Sequence, residues 1–286
     1  MYHKIENAFV GVEVDELGAQ LHSLRRRKDG YEYLWQGDPA VWAGQAPTLF
    51  PVVGTLLENR FLVEGRAYSM QRHGFARRKR FYCVDQSPDS LVFSLTDDEE
   101  TRAQYPYSFE LRIAYVLRER TLHITHTVLN RGAEPMYFSI GAHPGFCCEL
   151  GDCIRLECRE EGLRTLRIDA DGLLLGESFP VPGDGREIVL TRELFEKDAL
   201  IFSGLRSRSV TLERRRFGRV VTVTLGGAPY LGVWAKPGAP FVCIEPWYGI
   251  ADSRERVPDL SRKRGIQRLE GNGRFDFAIQ IELHDF

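Results

Sequence analysis

Glu245 stands in the run Phe241-Val242-Cys243-Ile244-Glu245-Pro246-Trp247, where all its near neighbours are apolar. A carboxylate inside such a strand must be paired, carry a raised pKa or face a wet pocket. A structural salt bridge is the plainer of these readings. His143 lies in Phe138-Ser139-Ile140-Gly141-Ala142-His143-Pro144-Gly145-Phe146, where a β-rich run delivers it into a turn built from Gly, Pro and Gly. Turns of this kind sit at strand ends, where rigid scaffolds hold chemistry. An imidazole with its ordinary pKa near about 6.5 gives or takes a proton at neutral pH. His73 occurs in Arg72-His73-Gly74-Phe75-Ala76-Arg77. Gly74 permits close backbone approach beside it, and Arg77 offers a fork of donors. Taken alone, that segment reads as a loop whose histidine is hydrogen-bonded to backbone. Asp198 precedes the apolar run Ala199-Leu200-Ile201-Phe202, so its carboxylate stands at a strand entrance within reach of a polar ligand. Beside Glu245, Trp247 and Tyr248 supply flat apolar surface of the sort on which sugar rings stack.

The elements that must hold these groups are strands. Phe275, Phe277, Ile279, Ile281 and Leu283 alternate with Asp276, Ala278, Gln280 and Glu282, the pattern of a strand with one buried face. Residues 8–14, 91–95, 109–117, 122–129, 210–212 and 220–225 show similar alternation or β-branched enrichment. Gly- and Asn-rich turn signals separate them, including Asn130-Arg131-Gly132 and Gly271-Asn272-Gly273. His123 and His126 fall on opposite faces of the 122–129 strand, and His126 shares its face with Leu122, Ile124 and Val128. His126 therefore reads as a core histidine. Helical periodicity predicts only a short helix at 191–196, with Thr191 as its cap. The absence of alternating strand and helix patterns excludes a parallel Rossmann sheet. The expected fold is one all-β domain over residues 1–286, a large antiparallel β-sandwich.

A net charge of −2 supplies no global field for nucleic acid or anionic membrane, so neither is an expected partner. The dense run Arg214-Arg215-Arg216, followed by Phe217-Gly218, reads as a hairpin tip. The N-terminus has no apolar segment of the secretory kind and no run approaches a membrane span, which points to a cytoplasmic protein, monomeric or homodimeric. In that setting the six cysteines, 83, 147, 148, 153, 158 and 243, read as free thiols. They lack C-x-x-C spacing and a nearby H-x-x-x-H, so no metal site is expected.

In combination these motifs resemble the aldose 1-epimerase (galactose mutarotase-like) family, and within it the bacterial LacX-like branch. The matching pieces are Leu49-Phe50-Pro51-Val52-Val53-Gly54, His73-Gly74-Phe75-Ala76-Arg77, Ile140-Gly141-Ala142-His143-Pro144-Gly145-Phe146, Asp198-Ala199-Leu200-Ile201-Phe202 and Cys243-Ile244-Glu245-Pro246-Trp247, in the family's order from about Gly18 to the C-terminus. The resemblance implies a β-supersandwich, no cofactor and interconversion of the α and β anomers of a free sugar. It implies Glu245 as the base at the anomeric hydroxyl and His143 as the acid at the ring oxygen, with His73 and Asp198 on ring hydroxyls. Two departures stand out. Family members often carry a basic residue after F-P-x-x-G, where this chain has Thr55, and Arg60 is the nearest substitute along the chain. Hexose-6-phosphate mutarotases are similar around His73, and Arg77 would meet a phosphate, but their arginine before F-P is replaced here by Gln45-Ala46-Pro47-Thr48. A neutral aldose is the expected substrate, with a hexose 6-phosphate, or a non-catalytic sugar-binding or sensor role, as alternatives.

Overall fold

A computed structural model describes residues 1–254 and 259–286. Two large antiparallel sheets dominate it. One has nine strands, in spatial order Glu187–Val189, Cys153–Leu156, Ser209–Arg214, Gly218–Thr224, Arg274–Leu283, Thr121–Asn130, Phe109–Arg118, Ser90–Thr96 and Tyr82–Gln86. The other runs Leu174–Pro180, Arg164–Ile168, Leu200–Ser203, Tyr230–Trp234, Phe241–Tyr248, Ile140–Ala142 and Thr48–Leu49, with Gly145–Cys147 paired beside Phe241–Cys243. An N-terminal three-stranded sheet and the hairpin Arg60–Val63 with Arg66–Ser69 complete the parts that matter here.

The expected alternation appears in the nine-stranded sheet. Phe277, Ile279, Ile281 and Leu283 are buried along Arg274–Leu283, alternating with Asp276, Ala278, Gln280 and Glu282, which face outward. His126 lies opposite Phe277 and stacks on its ring at 5.4 Å, within the core face of its strand. The arginine run at 214–216 closes the hairpin between Ser209–Arg214 and Gly218–Thr224. The helix expected at 191–196 is reduced to one 3₁₀ turn, Glu193–Phe195, although Leu194 N donates to Thr191 Oγ1 at 3.3 Å. An α-helix at Glu99–Gln104 was not anticipated, because six residues are too few for a 3.6-residue period to emerge. Its capping box is complete: Thr101 N donates to the Asp98 carboxylate and Asp98 N to the Thr101 hydroxyl. All six cysteines are free thiols. No helix among the described residues is long and apolar enough to cross a membrane.

The eight-stranded sheet is covered on both faces, and that positions the site. Leu200 and Phe202 point into the main core, while Ile201 between them joins a second cluster with Leu49, Val53 and Trp247. Glu245 alternates onto the same face as Trp247. Burying such a carboxyl costs several kcal/mol, of the order of ~1–5. At least twelve tyrosine and phenylalanine side chains are fully buried, and each contributes roughly 1.5–3 kcal/mol. The fold therefore tolerates a polar pair in its interior.

Candidate active site

Four chain segments bring the predicted residues together. Phe241–Tyr248 carries Glu245 opposite Gly232 of Tyr230–Trp234 and runs beside Ile140–Ala142, whose end delivers His143. The indole of Trp247 lies across this floor. A Cβ on Gly141 or on Gly232 would stand 2.5 Å from its ring, so both neighbours of the tryptophan must lack a side chain. The Phe50-Pro51-Val52-Val53-Gly54 segment links this floor to the loop of His73. Ser139 N donates to Pro51 O at 2.7 Å, and Phe75 N and Ala76 N both donate to Phe50 O at 3.0 and 3.1 Å. This approach requires Gly74, which has φ +71° and whose Cβ would fall 2.1 Å from Phe50 O.

The result is a recess of about 200 Å³ lined by Trp42, Pro47, Arg72, His73, Arg77, His143, Asp198, Ala199, Trp234, Glu245 and Trp247. All five residues singled out in the sequence reach it. His143 Nε2 lies 3.1 Å from Glu245 Oε2, yet Oε2 has no hydrogen-bond partner because the angle between the two groups is poor. His143 Nδ1 and Trp247 Nε1 are likewise buried without partners. Trp42 stacks on the His143 ring at 5.2 Å, while His73 and Trp234 meet it edge-on at 5.9 and 5.8 Å.

Burial sets the protonation states. It pushes His143 down to about 3, and the positive charges of Arg72 and Arg77 act in the same direction. It pushes Glu245 well above the usual carboxylate range, with Arg72 as the largest opposing influence. Burial disfavours the imidazolium and the carboxylate alike, so when the pair holds one proton that proton favours the carboxyl.

His73 is loop-borne and backbone-bonded, as its segment alone suggested, but it also faces the recess. Its Nδ1 lies 3.1 Å from Gly54 N, and burial holds its pKa well below the histidine range, so the ring is neutral. Arg72 Nε lies 3.2 Å from its Nε2. Both N–H groups point at the ring, and a neutral imidazole accepts at only one of its nitrogens, so they compete for it. Asp198 has φ +62°, and its Oδ1 accepts from Ala199 N at 2.7 Å. Its Oδ2 lies 3.8 Å from Arg72 Nη2. Arg77, half-buried, donates to Arg72 O at 3.1 Å and makes no ion pair among the described residues.

Arg72 is the residue that the sequence reading passed over. Arg60 does not reach the recess and pairs instead with Glu58. Arg72 stands beside Thr55: a Cβ on Gly172 would lie 2.5 Å from Thr55 Oγ1 and 3.4 Å from Arg72 Nη1. The cation that F-P-x-x-G motifs often carry on their own segment thus comes from across the turn. Gln45 is tied to backbone, with Nε2 donating to His22 O at 2.9 Å and Trp35 O at 3.2 Å. Trp42 and Trp234 were also unmarked, since a loop crossing brings the first to His143 and sheet register the second.

Cys243 Sγ, His143 and Glu245 offer donor atoms within 4.8 Å of one another. The thiol is pushed well above its ordinary pKa by burial, away from the thiolate that metals prefer. A cation bound there would also remove the imidazole and carboxyl from proton transfer.

The family model for aldose 1-epimerase matches residues 1–254. The chain is 34% identical over 283 residues to the plasmid-borne protein LacX of Lactococcus lactis, covering 93% of this chain and 94% of that protein. A galactose mutarotase related enzyme from Lactobacillus acidophilus superposes with a TM-score of 0.92 at 32% identity, covering 100% of this chain and 98% of that one. A galactose mutarotase-like protein from Lactobacillus casei gives 0.95 at 28% identity, with 99% and 100% covered. With its β-sandwich and this recess, the chain belongs to the aldose 1-epimerase family of carbohydrate isomerases.

Proposed function

We propose that the chain interconverts the α and β anomers of a free aldose by opening and reclosing its ring between Glu245 and His143. The observation that carries this reading is the buried pair itself, His143 Nε2 3.1 Å from Glu245 Oε2, at the floor of a recess walled by three tryptophans. Opening a hemiacetal needs one proton removed from the anomeric hydroxyl and one delivered to the ring oxygen as the C1–O5 bond breaks. A pair holding a single proton has the right inventory.

The resting proton sits on Glu245, whereas opening requires the carboxylate and imidazolium. Transfer across the short gap produces that form, and Arg72 favours it by stabilising the carboxylate. Glu245 then takes the hydroxyl proton and His143 gives its own to O5. The open aldehyde turns about C1–C2 and O5 attacks its other face, with both protons returned. His73 and Arg72 line the recess and supply N–H groups for an oxygen of the sugar. Asp198 Oδ2 supplies an acceptor for a ring hydroxyl.

Saturation-transfer NMR or polarimetry on fresh α-glucose and α-galactose tests this. Acceleration over buffer, lost in Glu245→Gln, is expected, and a background rate across a panel of aldoses would sink it. One observation favours a second reading. Arg72 and Arg77 both line the recess, and Arg77 has no ion pair among the described residues, which suits a hexose 6-phosphate. Preference for the phosphosugar over the free sugar, abolished in Arg77→Ala, would establish it.

A further inference from the structure

His143 ends a run of four aromatic rings. Trp35 packs nearly parallel to Phe241, with centroids 4.9 Å apart and planes at 29°. Phe241 packs on Trp42 at 5.1 Å and 20°, and Trp42 on His143 at 5.2 Å and 30°. The fold makes room for the indole of Trp42 and ties its loop down. A Cβ on Gly145 would stand 2.9 Å from that ring and a Cβ on Gly44 2.5 Å, so neither position takes a side chain without displacing it. Trp35 Nε1 donates to Trp42 O at 2.7 Å, and Trp42 N donates to Asp38 O at the same distance. The glycine after Pro144 thus has a task in the site, since it lets the indole reach the neighbouring imidazole.

That contact bears on a difficulty in the proton transfer. Ring opening requires an imidazolium at His143, which burial and the positive charges of Arg72 and Arg77 oppose. His73 is held neutral by burial, and the Cys243 thiol stays protonated for the same reason. Glu245 and Asp198 are the carboxyls lining the recess, and Glu245 offers a countercharge only after giving up its own proton. The face of an indole carries the negative end of a quadrupole and attracts a cation within about 6 Å, the more so where water is excluded. A stacked ring alone is no sign of this use, since His126 stacks on Phe277. His143 differs in having to take up a proton during the reaction, and its partner is a tryptophan, the ring with the strongest such face.

We propose that Trp42 is a positioning residue of the ring-opening reaction: its indole face stabilises the imidazolium form of His143 and holds that ring in line with Glu245 and the ring oxygen of the sugar. The inference rests on the ring-opening reading of the recess. A general acid works best when it ionises near the operating pH, and His143 ionises far below it, so stabilising its charged form moves it toward that optimum.

Tryptophans bearing one, two and four fluorines, placed at position 42 alone by nonsense suppression in the full chain, test the inference. Fluorine drains the face of the ring and leaves its shape nearly unchanged. With α-glucose or α-galactose, whichever turns over faster, kcat should fall stepwise along the series, by about tenfold in all, while KM stays within about twofold. Trp42→Phe, which keeps a weaker face, should fall between the parent and Trp42→Leu. Leucine also removes packing, so the fluorinated series decides. A kcat indifferent to the number of fluorines would overturn the inference and leave Trp42 as packing. A KM that rises while kcat holds would overturn it in favour of an indole that stacks on the sugar. Failure of the ring-opening reading has a different signature, in which the parent anomerises no aldose faster than buffer and the inference falls with it.

Discussion

His126 and His143 are both buried, both have an Nδ1 without a partner, and burial pushes both well below the ordinary histidine range, to about 4 and about 3. By those measures they are twins. They differ in company. His126 stacks on Phe277 between two central strands, and no charged group contributes to its shift. His143 faces a carboxyl at 3.1 Å, a second imidazole and two arginines across an open recess. Desolvation alone marks a histidine as buried. Convergence of groups with opposite proton preferences marks it as equipped for proton transfer.

The largest effect that would separate the two concerns the pair. Glu245→Gln and His143→Asn should each reduce the anomerisation rate about 10²- to 10⁴-fold, with circular dichroism and melting temperature near the parent's. A residual rate within tenfold of the parent would reduce His143 to a second His126. The next effect belongs to Arg72. Its side chain is 44% exposed, so its hydrogen bonds are worth less than those of a buried donor. Arg72→Ala should cost roughly 10- to 100-fold in kcat/KM, and Arg72→Lys should recover part of it, since a lysine keeps the charge but not the planar fork. Arg60→Ala, remote from the recess and paired with Glu58, should leave the rate unchanged.

Most of the fold was legible because period-two alternation reports a buried face directly, as along Arg274–Leu283. Two of the five candidate residues were legible for a different reason: Glu245 is a carboxylate among apolar residues and His143 a histidine bracketed by glycines, whereas His73, Arg77 and Asp198 were marked by the family resemblance. Arg72 was written beside His73 but carried no mark of its role. Whether residue 60 or 72 takes the place left by Thr55 depends on the turn between Gly54 and His73, which spacing does not describe. Trp42 and Trp234 escaped for a similar reason. They reach His143 through the register that sets Gly232 opposite Glu245 and through a loop crossing, both long-range facts of the sheet.

A smaller and sharper contrast lies in the pH profile. The pair reacts while it holds one proton. Activity falls at low pH only when a second proton reaches His143, whose value is about 3. Toward alkaline pH it falls as Glu245, raised by burial, gives up the resting proton. The acid limb of the buffer-corrected kcat/KM should therefore lie well below pH 5, and not near 6.5 where an ordinary histidine would titrate. An acid limb centred near 6.5 would mean that His143 is solvated and acts as an independent acid.

The smallest effect on activity, and the clearest on stability, is expected at His126. His126→Leu should leave the anomerisation rate within about twofold of the parent, because no hydrogen bond or ion pair among the described residues links that ring to the recess. Its stability should nevertheless diverge with pH. The folded value of about 4 lies below the unfolded value of 6.5, so between them the unfolded chain binds the extra proton and the parent is progressively destabilised as pH falls. The variant lacks that penalty. Its advantage in urea titrations should grow as pH drops below 6.5 and level off near pH 4, having increased by about 3 kcal/mol. Near pH 7, removal of a buried nitrogen without a partner should be neutral or favourable by ~1 kcal/mol. A pH-independent difference between variant and parent would mean that His126 ionises freely in the folded core, and the two histidines would then differ in burial as well as in company.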